Sequence, residues 1–438
     1  MFPKTRLALG VFLLAIAQQG ACQSTHTPVQ QLLRQFARDY RALDIPQLEY
    51  DYRDYLRAIP TLAVLDKREA FFQKYAERAA ALDTSQLTVA EKTSWKHLRY
   101  QIELHRERCA LEKQIHSAAA TAIPDEGLYR LPYGKDLYRF YIRYSTGVQI
   151  SPEEVYEYGL SEIAKIRAEI DAIRERSGLD SVAWLRRLNE PAFFLTERDS
   201  VVAGYERIKN KVLAHLNTLF EQPPAAVPDI EFMTWPNAGP FTPPGMYSSA
   251  DNNAYGTAVF LFNFYGNRHN RRAMDWLFLH EAIPGHHFHR ALRESTSSDP
   301  LEGLWFAGGT IEGWATYVEY FGAEMGLYRD DWAWLGKWEW DLVRSVRLVL
   351  SVGIHDRGWS KDQALAFWKA NIPNQDEIAE REIVRCTHWP AQVLSYKIGA
   401  KKIFELRAAA QQREGARFDV KRFHTRFLTA GNVPLEIM

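Results

Sequence analysis

The segment from His280 to His287 constrains this chain more than any other, because it places three histidines and a glutamate beside a strongly apolar stretch. It reads His-Glu-Ala-Ile-Pro-Gly-His-His and follows the apolar residues 276–279 directly. Apolar residues on all sides predict a buried helix, and the pair Pro284-Gly285 predicts a break in it, since proline removes a helix hydrogen bond. Imidazoles and carboxylates gathered in a buried segment indicate a candidate zinc site.

The spacing of the histidines decides which of them can share one ion. Zincins place two histidines at i and i+4 of a helix, but position i+4 from His280 is Pro284. In a regular helix His286 points about 120° away from His280, and His287 lies about 10 Å along the axis. A two-residue bulge at Pro284 and Gly285 predicts His286 as the second ligand. His287, which needs a three-residue bulge, is the alternative ligand or a neighbour of the site.

A third ligand is predicted at Glu312, in the segment Ile311–Glu319. A carboxylate on a largely apolar helix costs several kcal/mol unless it is paired or bound to a metal. Glu319 lies near the same helical face and is predicted to accept a hydrogen bond from a ligand histidine. An ordinary salt bridge is the alternative role for Glu319.

Two histidines and one glutamate leave one position of a single zinc ion open, which is typical of catalytic zinc. Glu281 is then predicted to take the proton of the attacking water and pass it to the leaving nitrogen. This pattern favours hydrolysis of a peptide or another amide, and the sequence does not separate a non-peptide amidohydrolase from a peptidase. A non-catalytic peptide-binding lipoprotein is less favoured, because binding alone needs the ligands but not Glu281.

The N-terminus is typical of an exported bacterial protein. Lys4 and Arg6 precede the apolar stretch 7–17, and small or polar residues follow up to Cys22. We predict a signal peptide over residues 1–22 and a location in the periplasm or envelope. Cys22 is a candidate lipid anchor, and cleavage after residues 15–17 is the alternative. No other membrane contact is predicted, because the apolar stretch is too short to cross a bilayer.

Charge and cysteine content exclude some classes of partner and scaffold. The 54 basic residues equal the 54 acidic residues, and no long basic run occurs, so no nucleic acid partner is predicted. Beyond Cys22, only Cys109 and Cys386 are available, and their pairing does not follow from the sequence. The oligomeric state does not follow either.

Periodicity predicts a mainly α protein with a small β element beside the metal-binding helix. Residues 23–225 are predicted as a helical region, and Ser151-Pro152-Glu153-Glu154 is a helix start within it. Prolines concentrate between residues 223 and 244, which places a boundary near residue 225. Residues 226–438 are then the zinc-binding region, packed as one unit with the first half. Its predicted strands are Ile230–Trp235 and Ala258–Tyr265, the second being either a buried strand or an edge open to an extended peptide.

Four blocks of sequence resemble the bacterial domain-of-unknown-function family 885, whose members are assigned to the zincin metallopeptidases. They are residues 280–287, Glu-Gly-Trp-Ala at 312–315, residues 347–359, and Pro-Ala-Gln-Val-Leu-Ser-Tyr-Lys-Ile-Gly at 390–399. The resemblance implies a large helical zincin-like fold with a deep cleft that admits short peptides. It also implies carboxypeptidase or dipeptidase action ahead of endopeptidase action.

The resemblance also gives roles to residues outside the histidine segment. Tyr396 is implied as a donor to the developing oxyanion. His355 and Gln392 are implied to hold substrate, and Arg385 or Arg347 to bind a terminal carboxylate. The chain departs from the family pattern where Ser351 replaces a common aspartate and Ala391 a common glycine.

Overall fold

A computed structural model describes residues 27–118, 122–221, 229–296, 299–372 and 376–438. The predicted signal peptide with Cys22 and the predicted boundary near residue 225 both lie outside these ranges. The prediction of a mainly α protein is confirmed. The helices of the first half are α1 (Pro28–Arg41), α2 (Tyr52–Arg57), α3 (Leu62–Ala80), α4 (Val89–Ser117), α5 (Gly134–Thr146), α6 (Pro152–Ser177), α7 (Ser181–Leu188) and α8 (Arg198–His215).

The second half carries the candidate site on a further set of helices. They are α9 (Met274–Glu281), α10 (His286–Thr296), α11 (Gly308–Val318), α12 (Asp331–His355), α13 (Lys361–Asn371), α14 (Asp376–His388), α15 (Ser395–Glu414) and α16 (Val420–Thr429). None of the helices in the described ranges combines the length and the apolarity that crossing a bilayer requires. Cys109 and Cys386 are both buried and form no disulfide.

The predicted start of α6 is confirmed in detail. Ser151 caps the helix: its hydroxyl oxygen accepts a hydrogen bond from the Glu154 N–H at 3.2 Å. The Glu154 carboxylate accepts in return from the Ser151 N–H at 2.8 Å. This reciprocal cap satisfies N–H groups that have no partner inside the helix.

Short strands form two small sheets. They are β1 (Phe194–Leu195), β2 (Glu231–Thr234), β3 (Gly245–Ser248), β4 (Val259–Phe262) and β5 (His269–Asn270). β1 pairs with β5, and the other three follow the order β2-β4-β3, with β2 parallel and β3 antiparallel to β4. Both predicted strands therefore exist, as β2 and β4. The strand before the predicted metal-binding helix is not an edge, however, because β4 is fully buried and paired on both sides. β3 occupies the edge next to α9.

The apolar core joins the two halves of the chain. One cluster of buried side chains combines residues of α5 and α6 with residues of α12, α13 and α14. A second cluster surrounds α9 and combines α8, β2, β4, α11 and α16. Because α9 lies inside the second cluster, the end of this helix is fixed by packing on several sides.

α11 and α15 approach each other unusually closely. A Cβ atom on Gly313 would lie 2.6 Å from the Cα atom of Gly399. Only glycine allows this contact, which brings Glu312 on α11 and Tyr396 on α15 toward the end of α9.

Candidate metal centre

The end of α9 carries the first two residues of the site. Trp276, Leu277, Phe278 and Leu279 are all buried and anchor the helix in the core. α9 ends at Glu281, and α10 begins at His286. The structure therefore replaces the predicted two-residue bulge by a complete break, in which residues 282–285 form a tight turn.

Gly285 allows this turn to fold back on α9. A Cβ atom at this position would lie 1.9 Å from the carbonyl oxygen of His280, so no other residue fits. Trp314 fixes the turn from α11, because its indole N–H donates to the Pro284 carbonyl oxygen at 2.8 Å. The turn brings the rings of His280 and His286 together, with 4.8 Å between their centroids.

Glu312 lies between the two histidines. Its Oε2 atom is 3.5 Å from Nε2 of His280 and 3.4 Å from Nε2 of His286. This oxygen is buried and forms no hydrogen bond among the described residues. Two ligands bound tetrahedrally at 2.0–2.1 Å are about 3.3 Å apart, so both of these distances are close to the separation of two ligands of one zinc ion. The predicted ligands His280, His286 and Glu312 thus lie around one point.

Glu281 lies beside this point. One potential ligand atom from each of His280, Glu281 and His286 falls within 4.8 Å of the others. Glu281 already accepts a hydrogen bond at Oε2 from the backbone N–H of Tyr247, 2.9 Å away on β3. Glu312 Oε2 accepts no hydrogen bond of this kind within the described residues, so the two carboxylates differ in how they are held.

Glu319 orients His280 from the opposite side. It follows α11 directly, is completely buried, and its Oε1 atom lies 2.8 Å from Nδ1 of His280. Its carboxylate also pairs with Arg344 of α12 at 2.7 Å. The two roles considered for Glu319 are therefore present together. Because Nδ1 donates to Glu319, Nε2 is the ring nitrogen that faces Glu312 and His286.

Opposing effects set the pKa values of these groups. Burial raises the pKa of Glu319, but the positive charge of Arg344 outweighs it, and the pKa is lowered overall. Burial lowers the pKa of His280, but the carboxylates of Glu312 and Glu319 outweigh it and raise the pKa to about 9. The carboxylates of Glu312 and Glu319 therefore favour a positive charge at His280.

A cavity of about 980 Å³ opens onto the three predicted ligands. Tyr396 lines it, with its ring stacked at 6.2 Å and 15° on the ring of His280. Exposed apolar residues surround the cavity, namely Phe241, Met246, Phe306, Val384 and Trp389. The cavity is therefore polar beside the predicted metal ligands and apolar at its rim.

Arginines from α12 and α14 line one side of the cavity, and they differ in their partners. Arg344 pairs with Glu319, while Arg347 and Arg381 both pair with Glu382 at 2.7 Å. Arg385 pairs with no carboxylate in the described part of the chain. Its guanidinium donates instead to Gln392 at 2.8 Å and to the Tyr396 hydroxyl at 3.4 Å.

The structure places several expected site residues elsewhere. His355 is completely buried: its Nδ1 accepts from the Leu128 N–H, and its Nε2 donates to the Cys386 carbonyl oxygen. It therefore connects α12 to α14 and does not line the cavity. Gln392 does not line the cavity either but positions Arg385. His287 does not line the cavity and lies against Tyr247, with ring centroids 5.4 Å apart.

Two contributors to the site, Arg344 and the backbone N–H of Tyr247, were not predicted from the sequence. Arg344 could have been found, because a charge inside the apolar stretch Val343–Val352 needs a buried partner. His289 is the least favoured of the histidines as a ligand by its position in the sequence, and the structure places it in the lining of the cavity. The N–H of Tyr247 could not have been found, because a backbone group leaves no signature in the sequence.

Comparison with known proteins identifies relatives of this chain. The family described as "Bacterial protein of unknown function (DUF885)" matches residues 109–438. A crystal structure described as the "putative lipoprotein from Colwellia psychrerythraea" is 25% identical, with a TM-score of 0.65 over 93% of this chain and 73% of that chain. A "putative lipoprotein of unknown function from Shewanella oneidensis" shares the fold at 20% identity, with a TM-score of 0.60 over 87% of this chain and 74% of that one. No curated protein sequence matches this chain.

Proposed function

This chain belongs to the bacterial protein family of unknown function DUF885, and from the geometry of its site we propose that it is a zinc-dependent hydrolase of short peptides. The matched residues 109–438 include every member of the candidate metal centre. The observation that carries the proposal is the position of Glu312 Oε2, which is buried, lacks a hydrogen bond and lies 3.4–3.5 Å from two imidazole nitrogens.

The donor set fits zinc better than calcium or magnesium. Two imidazoles and one carboxylate suit zinc, whereas calcium and magnesium prefer ligands that are all oxygen. Three protein ligands also leave one position open, as in catalytic sites. Zinc, when bound, supplies Lewis acidity for a substrate carbonyl and for the attacking water.

Glu281 is the proton carrier in this proposal. The Tyr247 N–H holds its Oε2 at 2.9 Å, so the carboxylate keeps one orientation beside the cavity. Glu281 takes a proton from the attacking water at its other oxygen, Oε1. It then gives this proton to the nitrogen of the leaving group.

Tyr396 is suited to stabilise the oxygen of the attacked carbonyl. Its ring is stacked on the ligand His280, and Arg385 donates to its hydroxyl oxygen at 3.4 Å. The phenol O–H is therefore free to donate toward negative charge that develops in the cavity.

Arg385 favours substrates that carry a free carboxylate. It is the cavity arginine without a carboxylate partner among the described residues, and its guanidinium lies beside Tyr396. A carboxylate bound there would lie next to the reacting bond. This arrangement supports carboxypeptidase or dipeptidase action, with an apolar side chain of the substrate against the rim of the cavity.

A location in the bacterial envelope, reached by export as a lipoprotein, fits this function. The similar Colwellia protein is described as a putative lipoprotein, and this chain has the apolar stretch and Cys22 expected of a lipoprotein precursor. In the envelope the enzyme would act on short peptides.

The direct test is a digest of a peptide library by the zinc-loaded protein, followed by mass spectrometry. We expect shortening from the C-terminal end. Glu281→Gln should retain zinc and lower kcat by about 100- to 10,000-fold, because the proton carrier is lost. Glu324→Gln, at an exposed glutamate, is the matched control and should leave turnover unchanged. Turnover that survives Glu281→Gln, or that needs no zinc, would refute the proposal.

A further inference from the structure

A second cavity, of about 370 Å³, lies where the start of α4 meets α15, α16 and the last residues of the chain. Its floor is apolar and includes Leu406, Phe423 and Phe427. No residue of the metal centre lines it. The hydrolase proposed above gives this cavity no role.

The rim of this cavity is strongly basic. Lys92 and Lys96 project from adjacent turns of α4, and Arg426 projects from α16. All three side chains are exposed and have no ion pair in the described part of the chain. The other charged side chains that line the cavity are Arg413, Arg422 and Glu414. Both arginines pair with Glu414. In a chain with no net charge, this is a local excess of positive charge.

An exposed apolar side chain adjoins the basic rim. Val89, in the first turn of α4, is 86% exposed and lines the same cavity as Lys92 and Lys96. Cations that surround exposed apolar side chains suit a membrane interface, where phosphate groups lie above acyl chains. Free phosphate or a nucleic acid would make no use of Val89 or of the apolar floor.

The course of the chain brings this surface near the candidate lipid anchor. The Thr27 hydroxyl donates to Glu91 of α4 at 2.6 Å, so the described chain begins beside the basic rim. Cys22 precedes Thr27 by five residues, which reach at most about 17 Å. An acyl group on Cys22 would therefore hold the basic rim close to the membrane surface.

We infer that the surface formed by Val89, Lys92, Lys96 and Arg426 docks on anionic phospholipid headgroups. The three cations bind the phosphates, and Val89 with the apolar floor contacts the glycerol and upper acyl carbons. Each cation near an anionic surface strengthens binding about fivefold. The docking is independent of the hydrolase proposal, since it involves none of the same residues.

The test is cosedimentation of the full chain with lipid vesicles. Cys22→Ser removes the acylation site from every protein compared, so binding cannot come from an attached lipid. The vesicles are phosphatidylcholine alone or phosphatidylcholine mixed with phosphatidylglycerol. We expect binding only to the mixed vesicles, and weaker binding as salt is raised. The triple variant Lys92→Ala, Lys96→Ala, Arg426→Ala should bind about a hundredfold more weakly at low salt.

A matched control removes three exposed cations elsewhere, by Lys67→Ala, Arg186→Ala and Lys211→Ala. It should bind like the parent if the cations of the proposed surface are the ones that matter. The two triple variants share one N-terminus and lose the same number of cations, so they differ only in the place of the lost charge. Equal losses in both triple variants would overturn the assignment. It would also be overturned by equal binding to neutral vesicles, or by binding of inorganic phosphate without binding to vesicles. The salt series on the parent protein keeps the test decisive even if a variant folds poorly.

Discussion

His280 is held at both ring nitrogens, and this arrangement determines what the site can do. Nδ1 donates to the buried carboxylate of Glu319, which Arg344 pairs with at 2.7 Å. Nε2 faces Glu312 at 3.5 Å. A histidine fixed in this way presents Nε2 to one point without losing side-chain freedom on binding, which is how outer groups strengthen a metal site.

Arg385 gives the sharpest residue-scale prediction about substrate. Arg385→Ala should lower kcat/KM for peptides with a free C-terminal carboxylate by about ten- to a hundredfold, as expected for a lost charged hydrogen bond. Most of the loss should appear in KM. The same peptides with an amidated C-terminus are the control, since they have no carboxylate to bind. An equal loss for both kinds of peptide would show that Arg385 acts on the fold or on the chemistry instead.

Residue types were predictable where the chemistry limits the choice. His280, His286 and Glu312 were identified because buried imidazoles and an isolated carboxylate need a partner. His355 was not predictable, since a histidine bound to two backbone groups looks the same in sequence as one that binds substrate. The difference between Arg385 and Arg347 depends on Glu382, whose position only the fold reveals.

At the scale of elements, the break between α9 and α10 matters most. The sequence located the break at Pro284 and Gly285 but predicted a bulge within one helix, whereas the structure has two helices joined by a turn. The path of the turn depends on the fit of Gly285 against the His280 carbonyl, which periodicity cannot show. Ala391, between α14 and α15, has a left-handed φ of 60°, which accounts for the glycine that is common in the family.

Substitution of Gly285 tests this element. Gly285→Ala should displace the turn, because its Cβ atom would lie 1.9 Å from the His280 carbonyl oxygen. We expect loss of zinc binding together with a lowered midpoint of urea unfolding. Gly239→Ala is the matched control, since its Cβ atom would meet nothing within 4 Å. Zinc binding that is unchanged in Gly285→Ala would mean that the turn does not position His286.

For the whole molecule, buried charges connect the first half of the chain to the candidate metal centre. Lys397, next to Tyr396 on α15, contacts Glu162 of α6 at 2.6 Å and Asp341 of α12 at 2.9 Å. Asp341 also pairs with Lys337 at 2.8 Å. All four side chains are buried. The network therefore fixes α15 to both halves.

Lys397 tests the network, because loss of one partner leaves buried carboxylates without a cation. Lys397→Met should lower the free energy of unfolding by about 3–5 kcal/mol. Lys401→Met, one turn later on the same helix, removes a cation that is one-third exposed and pairs with Glu405. This control should change the free energy of unfolding by less than about 1 kcal/mol. Urea unfolding measures the free energy of unfolding of both variants. Similar losses of this free energy would show that the buried network stabilises the protein no more than an exposed ion pair does.

The most direct test of the account is zinc-edge anomalous diffraction from crystals of the zinc-loaded protein. We predict one strong peak at about 2.0–2.2 Å from Nε2 of His280, Nε2 of His286 and a carboxylate oxygen of Glu312. A peak bonded to other residues, or no peak at this point in crystals shown to contain zinc, would contradict the assignment of the metal centre.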